Sequence, residues 1–120
     1  MKGVIEKYQP GDDEFDLPDG YLDVAKSKNY GDYAKDGEDL RICFLTNNDI
    51  TGGNSGSPVI NGNGELIGLA FDGNWEAMSG DIACEPELQR TISVDIRYVL
   101  WCIDKLAGAK HIVDEMTLAR

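Results

Sequence analysis

Two apolar runs joined by a glycine-bearing turn constrain this chain more than any other feature. Pro58-Val59-Ile60 leads into Asn61-Gly62-Asn63-Gly64, and that into Glu65-Leu66-Ile67-Gly68-Leu69-Ala70-Phe71. Asn-Gly steps supply the backbone of a tight reversal, so the flanking runs are expected to pair as antiparallel neighbours. Upstream, Leu40-Arg41-Ile42-Cys43-Phe44-Leu45-Thr46 is β-branched and aromatic and is bounded by Asp39 and by Asn47-Asn48-Asp49, the signature of a further strand. Thr91-Ile92-Ser93-Val94 adds a short fourth. Ile96, Val99, Leu100, Ile103, Leu106 and Ala107 then recur at intervals of three and four, with Asp95 near the first turn, Lys105 near the last and Gly108 beyond it. That pattern predicts an amphipathic helix. The expectation is a mostly β fold, an antiparallel partial barrel with strands near 40–46, 57–60, 65–71 and 90–94 and a C-terminal helix near 95–107.

The N-terminal third has a different texture. Residues 9–20 combine two prolines, two glycines and five acids and read as loop, and residues 21–30 hold Tyr21, Leu22, Val24 and Ala25 as the apolar side of a short helix. Residues 1–39 are therefore expected to form an acidic, loop-rich segment packing on the barrel, with residues 40–120 forming the body. The chain of 120 residues carries 22 acidic against 11 basic residues, a net charge of -11, which argues against nucleic acid as a partner. No stretch approaches the run of about 18 apolar residues that a membrane span requires, and the start lacks the apolar run of a targeting segment. Cys43, Cys84 and Cys102 fit neither a disulfide framework nor a zinc site, and they are read as unpaired. The acids Asp12, Asp13, Glu14 and Asp16 lack the pattern of a calcium loop, so neither metal nor cofactor is expected.

Chemistry is concentrated in Thr51-Gly52-Gly53-Asn54-Ser55-Gly56-Ser57-Pro58, between two strands. Such a turn exposes a hydroxyl at Ser55 and aims the N–H groups of Gly53 and Ser55 toward one point, the parts of a nucleophile with an oxyanion hole. Glycine at 53 provides backbone freedom and close approach to a substrate. A serine nucleophile also needs a base. His111, the sole histidine, follows the terminal helix and reads as solvated surface. An α/β-hydrolase order of Ser55, Asp72 or Asp95, and His111 is opposed by the turn, which is not Gly-x-Ser-x-Gly, and by a length too short for a parallel sheet with crossover helices.

The octapeptide resembles the nucleophile turn of chymotrypsin-like serine peptidases, with Ser55 at the nucleophile and Gly53 at the oxyanion glycine. Asn54 stands where trypsin-like zymogens carry the aspartate that receives a freed N-terminus. The longer strings Phe44 to Val59 and Leu69 to Ile82, together with Gln89-Arg90-Thr91-Ile92, are similar to the C-terminal part of the bacterial dipeptidyl-peptidases of serine peptidase family forty-six. This resemblance covers essentially the whole chain. It implies a trypsin-like barrel, release of dipeptides from peptides with a free N-terminus, a periplasmic or cell-surface enzyme that forms dimers, and a catalytic His and Asp supplied by an N-terminal portion that this chain lacks.

The resemblance also assigns a substrate site. Asp72 is implied to hold the substrate's α-ammonium, and the position of Gly73 to divide the family, arginine there accompanying acidic residues before the cleaved bond and glycine apolar ones. Asp49 precedes Ser55 by six residues, the offset at which trypsin-like enzymes select Arg or Lys; the closer resemblance favours Gly73 and the apolar class. Other expectations are a different trypsin-like endopeptidase fragment, or an inert β-module used for binding. Phe71, Trp75 and Trp101 are read as aromatics buried between sheet and helix. The apolar surface of an incomplete parent architecture implies self-association into a homo-oligomer.

Overall fold

The computed structural model describes residues 1–79 and 87–119. The chain divides into two units, one of Met1–Arg41 with Tyr98–Arg120 and one of Ile42–Arg97.

The second unit is a sheet. Strands β1 (Cys43–Thr46), β2 (Pro58–Ile60), β3 (Leu66–Gly73) and β4 (Thr91–Asp95) lie in the order β1-β4-β3-β2, and every neighbouring pair is antiparallel. The Asn61 side chain builds the β2–β3 turn: its Oδ1 accepts the N–H groups of Asn63 and Glu65 at 3.0 Å, while its amide donates to Glu65 Oε2 at 2.6 Å. Gly68 is fixed by space, because a Cβ there would lie 2.5 Å from the Val94 carbonyl oxygen and 2.6 Å from the Phe44 ring. The Phe44 ring, from β1, occupies the space that a side chain at position 68 of β3 would need.

A partial trypsin-like barrel is not what forms. Among the described residues helical turns outweigh strands, and the sheet is open, its edges β1 and β2 having no partner beyond β4 and β3. Closure needs tilted edge strands long enough to meet in register. Here the edges are four and three residues long. The mostly β reading fails with it, since the N-terminal third and the tail contribute helices and not strands.

The faces of the sheet also carry an unexpected distribution. Thr91, Ser93 and Asp95 are buried along β4, together with Ala70 of β3, whereas Leu45, Ile60 and Leu66 are exposed. Thr91 Oγ1 donates to the Asn48 carbonyl at 2.7 Å, and Asp95 is held by a two-pronged ion pair with Arg97, Nε to Oδ1 at 2.9 Å and a terminal guanidinium nitrogen to Oδ2 at 2.5 Å. Asp95 Oδ1 also accepts the Arg97 N–H at 2.9 Å, which caps the first turn of α3 (Ile96–Trp101).

The first unit is built around Trp101. Helices α1 (Lys2–Lys7), α2 (Tyr21–Lys26) and α4 (Lys110–Asp114) are each six or fewer residues long, too short to persist without packing. Trp101 is fully buried, stacked on Tyr98 at 6.0 Å and met edge-on by Tyr21 at 5.8 Å and Tyr30 at 6.5 Å. Its indole N–H donates to the Asn29 carbonyl at 3.2 Å, so the polar edge of the ring is satisfied. After Trp101 the helix widens into a π-helical turn over Cys102–Leu106, closed by the Ala107 N–H on the Cys102 carbonyl at 2.9 Å. Gly108, at φ +62°, then reverses the chain.

The acidic loop uses its carboxylates internally. Asp12 Oδ1 accepts the N–H groups of Glu14 and Phe15, and Asp16 those of Gly11 and Leu17. Cys43 and Cys102 are free thiols, and Cys84 lies outside the described residues. No helix among the described residues is long and apolar enough to cross a membrane.

Candidate active site

Ser55 sits on an exposed turn leading into β2, and the turn is assembled by its own polar groups. Asn54 Oδ1 accepts the Thr51 N–H at 2.8 Å, the Asn54 N–H donates to the Thr51 carbonyl at 3.2 Å, and the Ser57 N–H donates to the Asn54 carbonyl at 3.0 Å. Asn54 is thus the keystone of the loop, which explains an amide at that position without any ion pair. Gly53 and Gly56 adopt φ of +96° and +86°, a region that larger side chains resist.

The turn is anchored on β3 by two backbone bonds, Gly56 N–H to the Ala70 carbonyl at 2.7 Å and Ala70 N–H to the Ser57 carbonyl at 2.9 Å. Among the described residues, neither the Gly53 nor the Ser55 N–H donates a hydrogen bond within the protein. Both remain available to an acceptor from outside.

A β-bulge determines where the Ser55 hydroxyl goes. Ala70 pairs with Ser93 and Asp72 with Ile92, so Phe71 is the extra residue of β3. Bulges release a strand residue from the ladder and redirect the groups around it. The Ser55 hydroxyl donates to the Phe71 carbonyl at 3.2 Å. Phe71 itself is 45% exposed and Trp75 81% exposed, which corrects the reading of both as buried aromatics; Trp101 alone of the three is in a core.

Asp72 and Gly73 follow directly. Asp72 is exposed and its Oδ1 accepts the Gly73 N–H at 2.8 Å, while its Oδ2 accepts no hydrogen bond among the described residues. Gly73 closes β3 and faces Ile50 and Ala77. Sequence reasoning passed over Asn74, which ties this end of the strand together. The Asn74 N–H donates to the Arg90 carbonyl at 2.9 Å, its Oδ1 accepts the N–H groups of Arg90 at 2.8 Å and Ala77 at 3.2 Å, and its amide donates to the Leu88 carbonyl at 2.8 Å. The available signal was an asparagine directly before Trp75-Glu76-Ala77, since Asn74 precedes the Trp75–Ser79 turn and its side-chain oxygen accepts the N–H of the third residue of that turn, as a helix N-cap does. Asp49 is exposed on the connection between β1 and the Ser55 turn. His111 is exposed on α4, in the first unit, whereas Ser55, Asp72 and Gly73 belong to the second.

The model of a family described as peptidase S46 matches residues 1–118. The chain belongs to the peptidase S46 family. Among its relatives, a dipeptidyl-peptidase 7 from Capnocytophaga gingivalis is 64% identical over 118 residues, covering 98% of this chain and 16% of that protein. An Asp/Glu-specific dipeptidyl-peptidase from the same organism is 52% identical over 120 residues, covering all of this chain and 17% of its own length. A crystal structure of Porphyromonas endodontalis DPP11 in complex with the dipeptide Arg-Glu superposes with a TM-score of 0.90 at 45% identity, over 96% of this chain and 16% of that one. The chain therefore spans only a small part of the length of the S46 relatives it matches, and those relatives include both a dipeptidyl-peptidase 7 group and an Asp/Glu-specific group.

Proposed function

We propose that this chain is the nucleophile-bearing part of a serine dipeptidyl-peptidase, an enzyme that cleaves dipeptides from peptide N-termini. The observation that carries the reading is the Ser55 turn: an exposed hydroxyl anchored against β3, beside two N–H groups with no acceptor among the described residues. In this reading Ser55 Oγ attacks the carbonyl carbon of the second peptide unit, and a base outside this chain takes its proton. The Gly53 and Ser55 N–H groups hold the oxyanion, a stabilisation worth about 3–4 kcal/mol per donor. The same external base returns that proton to the leaving nitrogen, so collapse expels the shortened peptide as an amine and leaves the dipeptide esterified to Ser55; water, deprotonated by that base, then attacks the ester and releases the dipeptide, the proton returning to Ser55 Oγ.

Asp72 supplies the exopeptidase restriction. Its second carboxylate oxygen, unbonded among the described residues, is suited to a substrate α-ammonium, because a charge-assisted hydrogen bond rewards a free N-terminus. Gly73, beside Ile50, keeps charge away from the pocket for the residue before the cut and so favours apolar side chains. The higher identity to the dipeptidyl-peptidase 7 relatives, 61–64%, than to the Asp/Glu-specific relatives, 46–52%, supports that side of the division. The catalytic His and Asp come from an N-terminal portion of a longer polypeptide, and the 120-residue chain alone is inert because the partner of the Ser55 hydroxyl, the Phe71 carbonyl oxygen, accepts a hydrogen bond but is too weak a base to take the proton. The parent enzyme works in the periplasm or at the cell surface and self-associates, as the family resemblance implies.

The test is kcat/KM for matched chromogenic dipeptidyl substrates that differ only at the residue before the cut, in the full-length polypeptide and in the isolated chain. Turnover by the former with apolar residues preferred supports the reading. A preference for Arg or Lys transfers control of the pocket to Asp49, and efficient turnover by the isolated chain contradicts the need for an external base.

A further inference from the structure

We infer that Ala77 is a second specificity-determining residue, sterically paired with Gly73, so that position 73 accepts a side chain only when position 77 lacks one. This rests on the reading of Gly73 as the pocket residue and adds a constraint that the reading does not contain. A Cβ at position 73 would lie 2.9 Å from the Ala77 Cβ, with the Ile50 Cγ2 at 3.5 Å and the Arg90 carbonyl oxygen at 3.8 Å. Contacts below 3.0 Å between such carbons force a movement, and a methyl group has no torsion by which to withdraw. Only the backbone can yield.

That backbone is pinned. Ala77 lies in the 3₁₀ turn Trp75–Ser79, and its N–H is shared between the Asn74 carbonyl at 2.9 Å and Asn74 Oδ1 at 3.2 Å. Asn74 is in turn held by the Arg90 N–H and carbonyl and the Leu88 carbonyl. Moving Ala77 away from position 73 therefore strains the connection between β3 and the segment before β4. The pair has two coherent states: glycine with alanine, which leaves an apolar wall of Ile50 and Ala77, and a larger residue at 73 with glycine at 77, which admits a charged side chain. A cationic residue at 73 would suit acidic residues before the cut only in the second state.

The test is a double-mutant cycle in the full-length enzyme, reading Tm and the ratio of kcat/KM for acidic over apolar dipeptidyl substrates. Gly73→Ala adds only the offending carbon and should lower Tm, and Ala77→Gly should recover most of that loss in the Gly73→Ala background while costing stability on its own. Gly73→Arg with Ala77→Gly should raise the acidic-to-apolar ratio about tenfold beyond Gly73→Arg alone. If the ratio rises equally with and without Ala77→Gly, and Tm effects are additive, the pairing is overturned while the Gly73 reading stands. If Tm is recovered but the ratio stays at its original value in both variants, position 73 does not govern the pocket, and the specificity role of Ala77 falls with it.

Discussion

The Ser55 hydroxyl rests 3.2 Å from the carbonyl oxygen of Phe71, a residue that the β3 bulge removes from the sheet ladder. A regular strand would have committed that carbonyl to β4 or directed it elsewhere. The bulge instead gives the exposed turn a fixed point for its side chain, and it places Asp72 and Gly73 one and two residues farther along the same strand.

Removing the conformational freedom of the turn should therefore disable the enzyme before it unfolds it. Gly53→Ala puts a side chain at φ +96°, where relaxation would rotate an N–H that the proposed oxyanion needs. The expected result is a loss of kcat of about a hundredfold in the full-length enzyme with little change in KM, the signature of a transition-state contact. Steady-state kinetics on one good dipeptidyl substrate would show it.

Gly68 governs the sheet and not the chemistry. Gly68→Ala would drive a methyl group into the Val94 carbonyl and the Phe44 ring, and should destabilise the chain by about 1–3 kcal/mol. Urea unfolding followed by far-ultraviolet circular dichroism measures this; the denaturation midpoint should fall with the slope unchanged.

The two tryptophans report different environments. Trp101 is fully buried and Trp75 is 81% exposed, so in the isolated chain acrylamide should quench Trp75 readily and Trp101 weakly. Trp101→Ala should cost about 3–5 kcal/mol through the cavity it leaves among Tyr21, Tyr30 and Tyr98. Trp75→Ala should leave the melting temperature nearly unchanged.

Acid and alkaline stability should both depend on Tyr33 and Asp104. Burial raises the Asp104 carboxyl, but the Tyr33 hydroxyl at 2.9 Å and the Lys105 ammonium at 3.2 Å outweigh it, and the net position is below the ordinary 3.8. A carboxyl held low in the folded state stabilises it above the unfolded pKa, and that contribution is lost as pH falls below about 4. Tyr33 is pushed up to about 12, first by burial and then by Asp104, so its contribution is complete below 10 and is lost as pH rises toward 12. Tyr33→Phe should flatten both limbs of a plot of Tm against pH.

What the sequence made legible was local. The Asn61-Gly62-Asn63-Gly64 turn announced the β2–β3 hairpin because its chemistry is self-contained, and the glycine-rich string around Ser55 announced an exposed loop for the same reason. The bulge at Phe71 left no mark, since an inserted residue in an apolar run looks like one more strand residue. Period-two alternation in Thr91-Ile92-Ser93-Val94 establishes that β4 has two faces, but which face is buried depends on what covers it; the polar face is the buried one. Barrel closure was likewise beyond reach, because it depends on the meeting of distant edges and not on any strand's composition. Helix α1 escaped notice because six residues are too few to establish a period, and the π-helical turn after Trp101 preserves the apolar spacing that an α-helix would show.

If Ser55 is the nucleophile of a dipeptidyl-peptidase, an active-site-directed covalent label should find it. The full-length enzyme would be treated with a fluorophosphonate, digested, and the modified residue located by mass spectrometry, beside a Ser55→Ala variant assayed for dipeptide release. The expected result is one label, on Ser55, and loss of both labelling and turnover in the variant with its melting temperature retained. Labelling at another serine, or a Ser55→Ala enzyme that still releases dipeptides at the unmodified rate, would contradict it.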